Sequence, residues 1–262
     1  MLDARMLLAI AEAAIDDAEK IFLDQFGTAE KIAKGGSDFA TTADLDIERM
    51  LRSTLTTLTG IPVYGEEGGG VFEHEAMWVV DPIDGTSNYA VGNPLCAILV
   101  SLLVKSQPVL AICSLPALGK RLSTFSGSPL LVNGRPQPAL KPADPACVHI
   151  GFGSIVADHD HEFHTRLRRA LLAELSDEHA RLRVTGSVGV DLSFTALGIF
   201  AATVTFSPFT WDNAVGVLLC QAAGLHVTDL HGNEWSPQST GVIAGHPKQH
   251  ALILELIDEI RS

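Results

Sequence analysis

Residues 79–89 read VVDPIDGTSNY, and they place two carboxylates directly behind a hydrophobic strand. Asp81 and Asp84 flank a proline, which fixes its own backbone φ and allows both side chains to point to one side of the turn. The Ile83 carbonyl adds a further oxygen, and hard divalent cations such as Mg²⁺ take oxygen ligands. The next three residues open a short helix, whose free N–H groups suit a phosphate. The stretch therefore predicts a site that holds metal ions against a phosphate.

A purely structural interpretation fits the same residues. Asp-Pro and Asp-Gly are frequent turn formers, and a Thr or Ser beside Gly85 is an ordinary helix cap. On the local pattern alone, both interpretations stay open.

Composition narrows the class of protein. The 262 residues are 47% hydrophobic, which is enough for one large domain or two joined lobes. The net charge is −13 and basic residues form no long run, so the electrostatic footprint of a nucleic-acid-binding protein is missing. The four cysteines lie in apolar runs without a CxxC pair, which predicts reduced core thiols.

The sequence predicts neither a membrane span nor a secretory signal. Its longest apolar stretch, residues 95–104, is shorter than the roughly 20 residues that cross a bilayer. Acidic residues interrupt the N-terminal region where a signal peptide would be apolar. We therefore expect a cytoplasmic protein that binds no membrane and no nucleic acid.

Apolar residues at helical spacing predict two opening helices. Gly27 ends the first helix and Gly60 the second, and Thr42 or Asp44 caps the second at its start. Buried strands are then predicted to run into the two acidic segments, at residues 65–69 and 81–84.

Strands and helices alternate along the rest of the chain. Three successive strands are predicted at residues 95–104, 108–116 and 120–127, with an Asn-Gly turn at 133–134. After the proline-rich link 136–146, the patterns predict strands at 147–153, 201–206, 225–230 and 241–245, and helices at 162–175, 189–197, after Trp211 and at 250–260. We therefore predict an α/β fold with mixed sheets, as a single domain of residues 1–262 with two lobes at approximately 1–140 and 147–262.

Three motifs resemble those of one known family. DPIDGTSNY at 81–89, GEEGG at 65–69 and WDNAVG at 211–216 are similar to motifs of the inositol monophosphatase family of metal-dependent, lithium-sensitive phosphatases, and the resemblance covers essentially the whole chain. It implies a layered α-β-α-β-α sandwich, a small phosphorylated metabolite as substrate, two or three Mg²⁺ ions per active site and a homodimer.

The resemblance also implies a set of metal ligands. Glu66 and the Ile83 carbonyl would bind a first metal, Asp84 and Asp212 a second, and Asp81 would bridge the two. Metal ions about 3.5–4 Å apart can clamp both the attacking and the leaving oxygen of a phosphate ester.

For catalysis, the resemblance implies that Glu66 takes part in activating a water molecule. Thr86 would polarise this nucleophilic water, with Asp44 hydrogen-bonded behind it.

The substrate-binding residues implied by the resemblance are Asp84, Gly85, Thr86, Gly186, Ser187, Val188, Thr205 and Asp212. Val188 is larger than the alanine usual in the family. In an ungapped match, Thr205 stands where members that hydrolyse inositol phosphate carry an acidic residue that contacts ring hydroxyls. This departure weakens the expectation of a preference for inositol.

Several of the acidic residues also have simpler explanations. Asp212 and Asp44 are suited to capping helices, and Asp46 and Glu48 are interpreted as solvated helix charges. Glu67 is expected to be only a neighbour of the metal ligand.

Residues 158–164, DHDHEFH, place three histidines close together, as some zinc sites do. No cysteine accompanies them and they open a predicted surface helix, so we expect solvated side chains there.

The sequence thus predicts a Mg²⁺-dependent phosphomonoesterase in which a metal-activated water attacks a small metabolite phosphate. Histidinol phosphate, a 3′-phosphonucleotide and fructose bisphosphate remain alternative substrates. A non-enzymatic regulatory protein that keeps the fold is an alternative of another class, and loss of the acidic residues would have favoured it.

Overall fold

The structure, a computed structural model, describes residues 3–35, 38–72, 75–156, 162–178 and 181–261. The α-helices are α1 (Ala4–Gln25), α2 (Thr42–Thr59), α3 (Thr86–Ala90), α4 (Thr165–Asp177), α5 (Val188–Ala196), α6 (Thr210–Ala222) and α7 (Pro247–Arg261). The strands are β1 (Lys31–Gly35), β2 (Asp38–Thr41), β3 (Val63–Gly65), β4 (Ala76–Asp84), β5 (Ala97–Val104), β6 (Gln107–Leu115), β7 (Lys120–Phe125), β8 (Leu131–Val132), β9 (Arg135–Pro136), β10 (His149–Phe152), β11 (Arg181–Arg183), β12 (Ala202–Thr205), β13 (His226–Thr228) and β14 (Val242–Gly245).

The first sheet has seven strands in the order β3-β4-β5-β6-β7-β8-β9. β3 runs parallel to β4, and the other neighbours are antiparallel, so the sheet is mixed. Helices α1 and α2 pack on one face of it, where their apolar stripes form a core with residues such as Trp78 and Ile98. β5 is buried along almost its whole length because helices cover both faces of the sheet.

Helices α5 and α6 form the central layer between the two sheets. Seven of the nine residues of α5 are buried, as expected for a helix that is covered on both sides. The second sheet has the order β11-β10-β12-β14-β13, with β10 parallel to both of its neighbours. α4 and α7 cover its outer face. This stacking confirms the predicted α-β-α-β-α sandwich.

Most of the predicted elements are present with shifted ends. Gly60 ends α2 in the left-handed conformation, at φ 70°, as predicted. Of the two predicted caps of α2, Thr42 is wrong by one residue, because Thr41 is the N-cap, whereas Asp44 completes a capping box with Thr41. The Asn133-Gly134 turn joins β8 to β9 with positive φ at both residues.

Other features were missed or mistaken at the sequence level. The β1–β2 hairpin and β11 were not predicted. Cys96, Cys113 and Cys220 are buried as expected, but Cys147 is exposed because it lies at the end of the proline-rich link. The division into two lobes near residues 140–147 stays a prediction. Across the described parts of the chain, we find no helix with the length and apolarity that crossing a bilayer requires.

Candidate active site

A β-bulge at the end of β4 brings two carboxylates together. Asp81 pairs with Leu99 and Asp84 with Ala97, so one extra residue lies on the β4 side. Residues three apart in a regular strand point to opposite faces, and the extra residue removes this opposition. The chain then turns at Gly85, which has φ 84°, into α3.

Asp212, in the first turn of α6, completes an acidic cluster. Asp81, Asp84 and Asp212 each offer a carboxylate oxygen, and these oxygens lie within 4.8 Å of one another. Asp81 is 1% exposed and Asp84 is 7% exposed. The N-cap of α6 is Phe209, so Asp212 lies inside the helix and the prediction that it caps the helix is wrong.

The cluster is electrostatically unfavourable without a cation. Burial, followed by the charges of Glu66, Asp84 and Asp212, raises the pKa of Asp81 well above its usual value. Burial and the charge of Asp84 raise the pKa of Asp212 to about 8. Burial raises the pKa of Asp84 to about 6. Buried carboxylates at this spacing suit a hard cation with oxygen ligands, and their donor set fits Mg²⁺.

Asp84 is held at the N-terminus of α5. Its carboxylate accepts hydrogen bonds from the Ser187 hydroxyl, from Val188 N at 3.2 Å and from Gly189 N at 2.6 Å. A Cβ at position 189 would lie 2.9 Å from Asp84 Oδ2 and 2.6 Å from Leu99 Cδ2, so only glycine fits there. These bonds oppose the effect of burial on the pKa of Asp84.

Thr86 and Asp44 meet beside the cluster, as the resemblance implied. The Thr86 hydroxyl lies 3.0 Å from the Ile83 carbonyl oxygen and 3.3 Å from Asp44 Oδ1. Asp44 Oδ2 accepts from the backbone N–H of Thr41 at 2.8 Å and from its hydroxyl. Asp44 therefore both caps α2 and contacts Thr86. Burial raises the pKa of Asp44 to about 6.

The turn after β3 lies against β4 near Asp81, because the backbone N–H of Glu66 donates to the Val80 carbonyl oxygen at 3.2 Å. The Glu66 carboxylate lies close enough to Asp81 for its charge to contribute to the raised pKa of the Asp81 carboxyl group. Lys34 of the β1–β2 hairpin donates to Glu66 Oε1 at 3.0 Å and forms an ion pair with Glu67. Glu67 and Glu66 thus share the Lys34 ammonium group, so Glu67 is more than a sequence neighbour of Glu66. Burial raises the pKa of Glu67 to about 6.

A cleft of about 430 Å³ adjoins the cluster. Of the residues expected to bind substrate, Asp84, Gly186, Ser187, Val188 and Asp212 line it. Gly85 lies against this wall, since a Cβ there would be 3.1 Å from Ser187 Cβ.

Asp191 and Ser207 also line the cleft, and sequence reasoning missed both. The Ser207 hydroxyl donates to Asp212 Oδ2 at 2.5 Å, and the Asp191 carboxylate accepts from the Thr185 hydroxyl at 2.8 Å. Asp191 follows Ser187 by one helical turn and is the one charged residue of α5, and this was the available signal for it.

The structure does not bring Thr205 into the cleft. Its side chain is fully buried, and its hydroxyl donates to Asn213 Oδ1 at 3.1 Å and accepts from Val242 N at 3.1 Å. Both hydrogen-bonding functions of the hydroxyl are therefore used inside the protein. This corrects the assignment of Thr205 to the substrate-binding residues.

The histidine-rich stretch 158–164 falls largely outside the described residues, because the description omits 157–161. His164 is the N-cap of α4, which begins at Thr165 rather than at Glu162.

Comparison with known proteins places the chain in a family. The family model described as "Inositol monophosphatase family" matches residues 3–262. The chain belongs to the inositol monophosphatase family. The sequence-based recognition is therefore confirmed, and the chain is a phosphatase, a phosphoric monoester hydrolase.

Relatives of known name agree with this membership. The probable inositol 1-monophosphatase ImpA of Mycobacterium tuberculosis is 44% identical, over 97% of this chain and 94% of that protein. The Nus factor SuhB of Vibrio cholerae is 28% identical, over 97% of this chain and 96% of that protein. The solved structure of the Thermotoga maritima IMPase has the same fold, with a TM-score of 0.85 at 22% identity, over 98% of each chain.

Proposed function

We propose that this member of the inositol monophosphatase family is a Mg²⁺-dependent phosphomonoesterase, with inositol 1-phosphate as the first substrate to test. The observation that carries the metal dependence is the cluster of the buried Asp81 and Asp84 with the partly exposed Asp212, whose carboxylate oxygens lie within 4.8 Å of one another. The names of relatives such as ImpA support the choice of substrate.

Glu66, Asp81, the Ile83 carbonyl, Asp84 and Asp212 would hold the metal ions. When bound, Mg²⁺ supplies positive charge at the phosphate oxygens and lowers the pKa of a bound water. The chain's own contribution is to fix the carboxylates, Asp84 through α5 and Asp212 through Ser207.

Thr86 and Asp44 would orient and activate the attacking water. The Thr86 hydroxyl has one proton, which it donates to Asp44 Oδ1 or to the Ile83 carbonyl. Its lone pairs then remain available to accept a hydrogen bond from the attacking water. With its pKa raised to about 6, Asp44 is ionised at neutral pH and can serve as the acceptor behind Thr86. Gly85 and Thr86, at the start of α3, would lie against the phosphate.

The alcohol part of the substrate would occupy the cleft beside Gly186, Ser187 and Val188. Because Thr205 is buried and bonded to Asn213, it offers no contact to the hydroxyl groups of the substrate. Asp191 lines the same cleft, but its side chain is 1% exposed, accepts from the Thr185 hydroxyl and has a pKa that burial raises well above the usual value.

A phosphate-release panel tests this proposal. We expect inositol 1-phosphate to give the highest kcat/KM, against histidinol phosphate, a nucleotide 3′-phosphate, fructose bisphosphate and glycerol 2-phosphate, and only with Mg²⁺ present. If another ester had a kcat/KM at least tenfold higher than that of inositol 1-phosphate, the proposed substrate would be wrong but the proposed phosphatase reaction would stand. No release from any of these esters would refute the proposal.

A regulatory role is a second candidate, because the relative in Vibrio cholerae is named a Nus factor. The acidic cluster favours the enzyme, since binding a partner protein does not require buried carboxylates at this spacing. We further propose that the protein forms homodimers, which light scattering of the full chain would test by its mass.

A further inference from the structure

The turn that carries Glu66 is wrapped around a buried carboxylate from α2. The side chain of Glu48 is 3% exposed, so it is not the solvated helix charge that the sequence suggested. Its two oxygens accept hydrogen bonds from the backbone N–H groups of Glu67, at 2.7 Å, and Gly68, at 2.8 Å. A carboxylate buried this deeply requires such partners, and the turn supplies them.

Arg52, one helical turn further along α2, completes the contact. Its guanidinium donates to Glu48 Oε1 at 2.7 Å and to the Gly69 carbonyl oxygen at 2.8 Å. It also donates to the carbonyl of Val63 in β3. Glu48 thus binds N–H groups of the turn, and Arg52 binds carbonyl groups on both sides of Glu66.

The glycines of the turn allow this close approach. A Cβ at Gly68 would lie 2.7 Å from Glu48 Oε1, and a Cβ at Gly65 would collide with the same carboxylate. Glycine is therefore required on either side of the two glutamates because the Glu48 side chain of α2 packs against the turn at both positions.

Glu66 depends on this arrangement more than the other acidic residues do. Asp84 is held by the backbone of α5 and Asp212 by Ser207, whereas the Glu66 side chain is 24% exposed, extends from the turn itself and is bonded by the partly exposed Lys34 of the β1–β2 hairpin. Its backbone N–H donates to the Val80 carbonyl at 3.2 Å. The position of its carboxylate beside Asp81 therefore follows the position of the turn.

We propose that Glu48 and Arg52 are positioning residues that hold the Glu66 turn in register with Asp81 and thereby set the affinity for the catalytic cation. The inference rests on the Mg²⁺ site of the proposed function. Asp44, Glu48 and Arg52 follow one another at intervals of four residues, so one face of α2 supports both Thr86 and the Glu66 turn.

The first test is the substitution Glu48→Gln in the full chain, with Mg²⁺ binding to the metal-free protein measured by calorimetry. The amide keeps the shape but loses one acceptor and the ion pair with Arg52. We expect the Kd for Mg²⁺ to rise about 10- to 100-fold, the range usual for residues that support metal ligands. At saturating Mg²⁺, we expect the KM for inositol 1-phosphate to stay within twofold.

The matched control is Asp46→Asn, which makes the same chemical change two residues away on α2. Asp46 forms a surface pair with Arg49 and its side chain is 46% exposed. We expect its Kd for Mg²⁺ to match that of the wild type.

A second pair of variants, Arg52→Lys and the control Arg49→Lys, keeps the test decisive if Glu48→Gln does not fold. Lysine keeps the charge but cannot span Glu48 and the carbonyls of Val63 and Gly69, so the Kd should rise for Arg52→Lys alone. If the wild type binds Mg²⁺ and the folded Glu48→Gln and Arg52→Lys variants bind it with a Kd within twofold of the wild-type value, only this inference is overturned. A wild type that binds no Mg²⁺ would refute the proposed function itself.

Discussion

Replacing Ser187 by alanine should weaken both the fold and the metal site. The Ser187 hydroxyl donates to Asp84 Oδ2 and accepts from Val190 N at 3.1 Å, so it bonds a carboxylate and caps α5 at the same time. Loss of an N-cap costs about 1 kcal/mol, and loss of a hydrogen bond to a charged group about 1.5–3 kcal/mol. The free energy of unfolding should therefore fall by roughly 2.5–4 kcal/mol, a decrease in Tm of roughly 5–10 °C.

The same substitution should change how the metal site responds to pH. The Ser187 hydrogen bond lowers the pKa of Asp84, so its loss raises that pKa further above its present value of about 6. More of the Asp84 carboxyl is then protonated at pH 7, and Mg²⁺ binds more weakly. The difference in Mg²⁺ affinity between the variant and the wild type should be smaller at pH 8.5, where the Asp84 carboxyl is ionised again.

Differential scanning calorimetry and Mg²⁺ titrations at both pH values would measure these effects. The matched control is Ser193→Ala, which removes a hydroxyl from the same helix on the side of Cys113. If Ser187→Ala and Ser193→Ala gave the same Tm and the same Mg²⁺ affinity, the role assigned to Ser187 would be refuted.

Three further outcomes are expected. Thr86→Ala should lower kcat by about 10²–10⁴-fold with KM little changed, because the residue acts on the attacking water; initial rates at saturating Mg²⁺ would show this, and a rise in KM alone would contradict it. Thr205→Glu should destabilise the protein by about 3–5 kcal/mol, since it buries an unpaired charge; an unchanged urea midpoint would show instead that residue 205 reaches the cleft. The pKa of Asp212 is raised to about 8 and that of Asp81 well above its usual value, so the acidic cluster is partly protonated at pH 7 and Mg²⁺ must displace protons from it. Proton release on Mg²⁺ binding and an affinity that rises from pH 6 to pH 8 should therefore be seen by calorimetry in buffers of different ionisation enthalpy, and a pH-independent affinity would exclude this displacement.

The layered fold could be predicted because its signals are local. The buried runs of β5 and β6 and the amphipathic patterns of α1 and α2 are visible in single windows of sequence. The acidic cluster was found through motifs, and the bulge that aligns Asp81 with Asp84 is contained within one of them.

Features that depend on distant parts of the chain were not predictable in the same way. Glu48 resembles any solvated helix charge until the turn at 65–69, about twenty residues later, folds onto it. Thr205 was placed by an ungapped match, which carries no information about which face of β12 the side chain occupies. Ser207 became recognisable only when its hydroxyl was found beside Asp212.

In the proposed function, the acidic cluster binds the Mg²⁺ on which phosphate ester hydrolysis depends. The most direct measurement is phosphate release from inositol 1-phosphate, across a Mg²⁺ titration after chelator treatment, by the wild type and by Asp81→Asn. The amide can still accept the Ile83 N–H bond, which is 3.0 Å long in the wild type, so the variant should fold. We predict that Mg²⁺ restores the wild type and that Asp81→Asn stays inactive at every Mg²⁺ concentration. Full turnover of the wild type in excess chelator, or near-normal turnover of a folded Asp81→Asn protein, would contradict the account.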